Sequence, residues 1–206
     1  MAIGWADIQD WDPADLNTTS ENLSTARSTL MTEAQEASGA KSRVQSTGTA
    51  VDAMLTTLGS LNKDLDTLVN DVSELMMATS EASNGVWDVQ TKVQECTSFT
   101  EEYPYLSISS DGKALYDLQT SPPDPNENPS DAKKKADEDL TENMNRFHKS
   151  EELEGLIEAA INRAVEVDEA YRDRLKAVYD GTYQCDETSA SESQGLPDLP
   201  QEGWSA

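Results

Sequence analysis

His148 is the only histidine of the chain and therefore the first candidate for acid–base or nucleophilic catalysis. Such chemistry needs a general base within hydrogen-bond reach of a nucleophile or of a substrate proton. His148 stands between Phe147 and Lys149, in a segment with the periodicity of a long helix. We interpret it as a histidine on a helix surface rather than as a catalytic base.

Carboxylates are abundant, since 40 of the 206 residues are Asp or Glu, and neighbouring pairs therefore arise by chance. Examples are Glu151, Glu152 and Glu154, and further upstream Asp124, Glu127 and Asp131. Glycosidase chemistry needs two carboxylates that face each other across a cleft, which neighbours on one helix do not provide. The upstream group lacks the alternating ligands and the central glycine of an EF-hand calcium loop. Neither group predicts a catalytic or a metal site.

The sequence contains neither the Rossmann nor the Walker glycine pattern that cradles phosphates. Its two cysteines, Cys96 and Cys185, do not have metal-site spacing and allow at most one disulfide. Two free thiols at helix edges are the simpler interpretation, and a Cys96–Cys185 disulfide would require the ends of two helices to meet. We predict no enzymatic activity, no cofactor and no metal. An enzyme with an unrecognised site is a competing hypothesis, which a pocket of converging polar residues would support.

Long helices are the elements that carry these residues, as a heptad pattern between Leu16 and Cys96 indicates. The first register repeats every seven residues and comprises Leu16, Leu23, Leu30, Ala37, Val44, Val51, Leu58, Leu65, Val72, Thr79, Val86 and Val93. The second follows three residues later and comprises Thr19, Ala26, Glu33, Ala40, Thr47, Met54, Leu61, Leu68, Leu75, Ala82, Val89 and Cys96. Both registers fall on one side of an α-helix, which is typical of helices that pack lengthwise.

A turn at Ser46, Thr47 and Gly48 is predicted to divide this run into two helices. Large side chains are sparse around Gly39 and these three residues. We predict helices at about 13–43 and about 49–98 that fold against each other; one continuous rod is the alternative. The first helix has a thin apolar stripe and needs a partner to be stable. The second helix is longer, so part of it must find another neighbour.

The first long helix has start signals at Trp11, Asp12 and Pro13. Asp12 stands where an N-cap acceptor belongs, and Pro13 at the first helical position has no N–H donor to lose. Trp11 precedes the cap and can fold back near Leu16 or Asn17, as in a hydrophobic staple. These residues predict the helix N-terminus.

The chain changes character after the second helix. The stretch from Leu106 to Tyr116 alternates around the pair Asp111-Gly112, which is the usual sequence of a tight β-hairpin. A proline-rich linker follows, and a third long helix begins at Ser130 or Asp131 and ends near Gly181. Its apolar face comprises Leu140, Met144, Phe147, Leu156, Ile157, Ala160, Ile161, Ala164, Val167, Tyr171, Leu175 and Val178.

The predicted fold is therefore all-α, with an elongated antiparallel helical hairpin, a third long helix and a small β-hairpin in the connecting segment. The domain division places the helical hairpin at residues 1–98 and the β-hairpin with its linker at 99–130. The third helix, at 131–183, is predicted to pack on the helical hairpin. Residues 184–206 form an acidic tail rich in Ser, Glu and Pro, which predicts disorder.

The chain is strongly acidic, with a formal net charge of -25 and a pI near 4.1. Such a surface repels phosphate backbones and anionic lipids, so we predict no binding to nucleic acid. No stretch approaches the roughly 20 apolar residues of a membrane span, which predicts no membrane insertion. The N-terminus lacks the basic residues and the apolar run of a signal peptide. If the protein leaves the cell, we expect export without a cleaved signal peptide.

Two stretches resemble the WXG superfamily. Residues 11–16 read WDPADL and residues 46–54 read STGTAVDAM. They are similar to the N-terminal helical hairpin of long actinobacterial substrates and toxin leader domains of type VII (ESX) secretion systems. In that family a Trp-X-Gly turn joins the helices. Here Gly48 and the small residues after it fit the pattern, and Ser46 stands at the position of the tryptophan.

The resemblance also implies an export motif, Tyr-X-X-X-Asp/Glu, directly after a helix. Tyr183 and Glu187 match this motif in spacing and follow the third helix. In related substrates the turn and the tyrosine lie near each other, often on different chains, and form a composite docking surface. With Ser46 in place of the tryptophan, either a partner supplies that side chain or the secretion ATPase reads another feature.

The resemblance implies a non-enzymatic substrate or adaptor of a type VII secretion system that acts by protein–protein contact. It would be cytoplasmic before export and secreted afterwards. The implied partners are a secretion ATPase and either a second copy of the chain or a short WXG-type helical hairpin. The alternative is a cytoplasmic coiled-coil scaffold or chaperone-like partner that is not exported. A stand-alone substrate, a leader with a separate effector and a piece of a larger toxin are all compatible with the sequence.

Overall fold

A computed structural model describes residues 3–122 and 128–183 of the chain. Four helices are found there: α1 (Trp5–Ile8), α2 (Pro13–Arg43), α3 (Thr49–Glu102) and α4 (Pro129–Asp180). Two short strands, β1 (Leu106–Ile108) and β2 (Ala114–Tyr116), lie between α3 and α4. The predicted all-α fold with a small β-hairpin is confirmed, and α2 and α3 pack closely against each other. A single rod through residues 40–55 is excluded.

The helix ends follow from local chemistry. The segment between α2 and α3 ends at Gly48, whose φ of 135° disfavours residues with a Cβ, and the Gly48 carbonyl accepts the Asp52 N–H at 2.9 Å. Helix α3 continues to Glu102, four residues beyond the predicted end, and stops just before Tyr103-Pro104. Helix α4 begins at Pro129, slightly earlier than predicted, because Asn128 Oδ1 accepts the Ser130 N–H at 3.1 Å.

The two strands pair antiparallel, with Leu106 opposite Tyr116 and Ile108 opposite Ala114. Gly112 in the turn has a φ of 78°. The Ser109 hydroxyl accepts the Lys113 N–H at 3.0 Å and donates to Asp111 Oδ1 at 2.6 Å. This donated hydrogen bond is the main cause that lowers the pKa of Asp111. The Gly112 N–H donates to the Ser109 carbonyl at 2.9 Å, so Ser110 and Asp111 are the central residues of the turn and Gly112 follows it. The predicted β-hairpin is present, with a three-residue loop that ends in a left-handed glycine.

The chain divides into two compact units. The first comprises Met1–Asn22 and Met76–Asp173, and it contains every buried residue that the structure describes. Its hydrophobic core comprises Trp5, Ile8, Val86, Val89, Cys96, Leu106, Leu153, Ile157, Ala160, Ala164 and Val167. Helix α1 contributes two of these residues although it is only four residues long. The N-terminal lead is thus part of the core.

Within the first unit, α3 and α4 run antiparallel at close range. A Cβ atom built on Gly85 would lie 2.6 Å from Val167 Cγ2, so the glycine permits the contact. Further along the same seam, Arg163 Nη2 donates to Asp88 Oδ2 at 2.8 Å. The absence of a side chain at Gly85 therefore sets how closely these two helices approach.

The prediction of the apolar face of α4 is only partly correct. Its N-terminal members Leu140, Met144 and Phe147 are 62%, 56% and 45% exposed, whereas Leu153, which the pattern missed, is fully buried. The neighbour of that part of α4 is segment 117–121, and polar side chains make the contact. Asn143 Oδ1 accepts the Gln119 N–H at 2.7 Å, for example. Phe147 makes an edge-to-face ring contact with Tyr116 of β2, whereas Leu140 and Met144 stay mostly exposed.

The second unit comprises Leu23–Leu75 and the chain from Arg174, which the structure describes as far as Tyr183. No residue of its described part is buried. Arg27 Nε donates to Ser73 Oγ at 2.6 Å, and the Lys41 amine would lie 3.3 Å from a Cβ on Gly59, so α2 and α3 run antiparallel here. Helices α2 and α3 cover each other's apolar side chains only in part, which agrees with the small side chains in the apolar stripe of α2.

Asn62 of α3 is the weak point of this helix pair. Its Oδ1 is buried and has no hydrogen-bond partner among the described residues. An unpaired buried acceptor costs about 1–3 kcal/mol, so Asn62→Leu is expected to raise the free energy of unfolding by about 1 kcal/mol. Urea denaturation followed by far-UV circular dichroism measures the change. Asn70→Leu, at an exposed position of the same helix, is the control and should change stability by less than about 0.5 kcal/mol. Destabilisation by Asn62→Leu would show that the amide is paired.

Candidate functional site

Tyr183 follows the last turn of α4 in a fixed position. Gly181 has a φ of 63°; its N–H donates to the Val178 carbonyl at 3.1 Å, and the Thr182 N–H donates to the Ala177 carbonyl at 2.9 Å. This pair of bonds is a Schellman motif, which ends the helix and reverses the chain. The Tyr183 hydroxyl then donates to Asp71 Oδ1 on α3.

Next to this contact, an ion pair joins α4 to α3. Arg174 donates through Nε and Nη2 to Glu74 Oε1, at 2.9 and 2.5 Å. Both side chains are mostly covered, with exposed fractions of 28% and 14%. Together with the Asp71 bond, this ion pair fixes the tyrosine against α3 in the second unit. Glu187, the other residue of the predicted export motif, lies outside the described residues.

The predicted hairpin turn, Ser46, Thr47 and Gly48, is exposed and contributes no buried side chain. Helix α3 is continuous from Thr49 past Asp71, and at 1.5 Å per residue these two positions are about 33 Å apart. The turn and Tyr183 therefore do not come together within one chain. A composite surface of turn and tyrosine would need a second molecule, as the resemblance implies for related substrates.

The predicted helix start at Trp11, Asp12 and Pro13 belongs to the first unit. Asp12 Oδ1 accepts the Ala14 N–H at 2.9 Å, which is the geometry of an N-cap. Trp11 is half-buried and packs against the core together with Leu16. Trp11 thus lies at the wall of the core, whereas Asp12 is exposed to solvent.

A cleft of about 330 Å³ opens beside this helix start. Side chains from α2, α3, α4 and the segment before α2 line it: Asp10, Trp11, Asp12, Leu16, Ala82, Val86, Val167, Asp168 and Tyr171. The Tyr171 hydroxyl lies 3.2 Å from the Thr79 hydroxyl, and Thr79 is only 1% exposed. The cleft therefore has an apolar floor, two aromatic side chains and three carboxylates.

An apolar stripe runs along α3 in the second unit. Met54, Leu61 and Leu68 follow one another at intervals of seven residues and are 44%, 46% and 44% exposed. They belong to the second predicted heptad register, whose later members Ala82, Val89 and Cys96 are buried in the first unit. The stripe is thus a regular helix face that is only half covered.

Cys96 is fully buried in the core of the first unit, so its interpretation as a helix-edge thiol was wrong. Burial, reinforced by the negative charge of Glu95, raises the pKa of its thiol to about 11. Cys185, the other cysteine of the alternative disulfide, lies outside the described residues. The Cys96–Cys185 alternative is therefore not tested.

His148 lies on the exposed surface of α4, where its Nδ1 is 3.2 Å from Glu151 Oε2. Glu152 is paired with Lys149, and their charged atoms are 2.6 Å apart. Within residues 3–122 and 128–183, no group of three or more His, Cys, Asp or Glu side chains is arranged to hold a metal ion. Over the same residues, no helix has the length and apolarity needed to cross a bilayer.

The sequence reasoning missed the residues that position the candidate sites. Nothing in the sequence links Asp71, one of two carboxylates between Leu68 and Leu75, to a tyrosine 112 positions later. Asp168 and Tyr171 are spaced i and i+3, so they share a helix face, but nothing in their spacing links them to Trp11. Comparisons with protein-family models, curated proteins and solved structures find no match for this chain.

Proposed function

We propose that the chain is a non-enzymatic helical-bundle substrate or adaptor of a type VII (ESX) secretion system, as its resemblance to the WXG superfamily implies. It is made in the cytoplasm and exported without a cleaved signal peptide. It acts through contacts with a secretion ATPase and with either a second copy or a short WXG-type helical hairpin. Nucleic acid is not a partner in this proposal, because a net charge of -25 disfavours anionic partners. Membrane insertion is not part of it either, because no helix of the described residues is long and apolar enough to cross a bilayer.

The bond between the Tyr183 hydroxyl and Asp71 is the observation that carries the proposal. The two residues are 112 positions apart, so the tyrosine reaches this place only when α4 is folded onto α3. A receptor that binds the tyrosine there would distinguish the folded chain from the unfolded one. Tyr183 is only partly covered in this position.

The stripe of Met54, Leu61 and Leu68 supports the proposed binding of a helical partner. In this unit Arg174 of α4 contacts Glu74 of α3, and Tyr183, just after the end of α4 at Asp180, contacts Asp71. The stripe lies on α3 beyond these contacts, toward Thr49. Apolar side chains spaced by seven residues are the seam that a further helix occupies in a coiled coil. A helix supplied by a partner would cover them.

Tyr183→Ala tests the proposal in the producing cell. Export is expected to fall by about tenfold or more, the loss typical of removing a central aromatic contact, while the intracellular level stays normal. Quantitative immunoblotting of medium and cells measures both. Tyr179→Ala is the matched control, because Tyr179 is 91% exposed one helical turn earlier.

Export at the normal level with Tyr183→Ala would contradict the proposal, provided that circular dichroism shows the variant to be folded. Tyr183→Phe then separates the ring from the hydroxyl. Export by the Phe variant shows that the receptor reads the ring, and its loss shows that the Asp71 bond is needed.

The second candidate function is a cytoplasmic scaffold or chaperone-like partner. The same apolar stripe favours it, because a helix partner can be bound without export. Fractionation of cells that express the unchanged chain separates the two candidates. Retention in the cytoplasm with a helical partner bound at Met54, Leu61 and Leu68 supports the scaffold, whereas accumulation in the medium supports the secretion substrate.

A further inference from the structure

We propose that the cleft beside the start of α2 binds a cation with an apolar body, namely a guanidinium or ammonium group at the end of an alkyl chain. The proposal concerns the first unit alone and does not depend on the export function. The cleft measures about 330 Å³, near the lower end of the range for small-molecule pockets. One extended side chain fits such a volume better than a larger ligand does.

The floor of the cleft is apolar and favours a ligand with an alkyl chain. Leu16 of α2, Ala82 and Val86 of α3, and Val167 of α4 supply aliphatic surface. Ala82 contributes only a methyl group, at a position where the heptad pattern would accept a larger residue. An alkyl chain placed here gains about 25 cal/mol for each Å² of apolar surface removed from water.

The aromatic walls suit a cation rather than a neutral group. Trp11 and Tyr171 both line the cleft, and a guanidinium or ammonium group is attracted to the face of such rings within about 6 Å. The Tyr171 ring is held by the bond between its hydroxyl and the buried hydroxyl of Thr79. A fixed ring loses little freedom on binding, so more of the contact energy remains for affinity.

The charges at the rim exclude anions. Asp10, Asp12 and Asp168 line the cleft, and Arg172 supplies a counter-charge, with its Nη1 3.5 Å from Asp168 Oδ2. Three carboxylates against one guanidinium leave the rim negative. Asp12, which also lines the cleft, uses Oδ1 to cap α2. A cation whose alkyl chain lies on the floor places its charge among these carboxylates.

Two sources can supply this chemistry: an arginine or lysine side chain of another protein, and a free alkylguanidine or alkylamine. N-acetyl-arginine amide is the probe for the shared chemistry, and N-acetyl-citrulline amide, which has nearly the same shape without the charge, is its control. A short helical peptide with one arginine tests the protein source. Tighter binding of the peptide than of the free amide assigns the cleft to a protein partner, and equal binding assigns it to a small cation.

Titration of the ¹⁵N-labelled chain, with the Trp11 indole signal assigned by Trp11→Phe, measures binding. We expect a saturable shift with the arginine amide, with a dissociation constant on the order of 1 mM, and no saturable shift with the citrulline amide. The double variant Asp10→Asn/Asp168→Asn should weaken binding about tenfold, because it removes two of the rim charges. Ala82→Leu, which fills the floor, should weaken binding independently.

The matched control is Glu154→Gln/Glu158→Gln, which makes the same change of net charge at exposed positions of α4 in the same unit. It should bind the arginine amide as the unchanged chain does. Equal loss in both double variants would assign the shift to the overall negative charge and overturn the proposal. Saturable binding of the citrulline amide with the same affinity would overturn it as well.

Discussion

Trp5→Ala is expected to lower the free energy of unfolding by about 3–5 kcal/mol, the cost of removing a large aromatic side chain from a core. Trp5 is 2% exposed and packs in the core cluster with Ile8 and Leu106. The β-turn abuts it so closely that a Cβ on Gly112 would lie 2.8 Å from Trp5 Cβ. Because turn and helix cannot collapse further around the site, most of the cavity should remain after truncation.

Urea denaturation followed by far-UV circular dichroism measures this change without relying on tryptophan fluorescence. Trp87→Ala is the matched control, since Trp87 belongs to the same unit but is 56% exposed on α3. It should shift the free energy of unfolding by no more than about 0.5 kcal/mol. Similar losses for both variants would mean that α1 is not part of the core.

The features that the sequence predicted correctly are those set by neighbouring residues. The ends of α2 and α4 follow from capping groups and glycines within a few residues, and the β-turn follows from Asp111-Gly112. The turn before Thr49 follows from a glycine with a positive φ and from the lack of large side chains around it. Local chemistry decides such features, so one sequence is sufficient to find them.

Heptad periodicity predicts which side of a helix is apolar, but it cannot predict how many neighbours cover that side. Leu61 and Val89 occupy the same register of α3, yet Leu61 is 46% exposed and Val89 is fully buried. The difference arises because α1 and α4 complete the core of the first unit, whereas the second unit has only the final turns of α4. Packing partners distant in sequence decide burial, and periodicity carries no information about them.

The candidate sites show the same limit. Tyr183 was predicted from a four-residue spacing, but its partner Asp71 comes from a helix more than one hundred positions earlier. The cleft joins Trp11 to Tyr171 through the packing of α2 and α4 on α3. The helix start could be predicted from Asp12 and Pro13, and its role as the wall of a cleft could not.

Gly85→Ala is expected to destabilise the chain although alanine is the better helix former. The new Cβ would lie 2.6 and 2.9 Å from the two γ-carbons of Val167 and 3.3 Å from its Cβ. Rotation of the valine cannot relieve the contact, because both methyl groups are involved and a β-branched residue in a helix has one favoured rotamer. We expect a net loss of about 1–2 kcal/mol, overpacking outweighing the gain in helix propensity. Urea denaturation measures it.

Gly155→Ala is the control for propensity, because nothing lies within 4 Å of a Cβ at that position of α4. It should stabilise the chain by up to about 1 kcal/mol, so the two glycine substitutions are expected to have opposite signs. Stabilisation by both would show that α3 and α4 do not approach closely at Gly85.

Val167→Ala identifies the atoms responsible for the clash. Alone, it removes a core side chain that is 8% exposed and should destabilise the first unit. Combined with Gly85→Ala, it removes the two methyl groups that the new Cβ would meet, so the double variant should be more stable than the sum of the single losses predicts. A coupling energy of about 1 kcal/mol or more is expected for residues in direct contact. Additive losses would instead mean that α3 and α4 shift apart to accommodate the alanine. The position of Val167 on the floor of the cleft would then not depend on the close approach at Gly85.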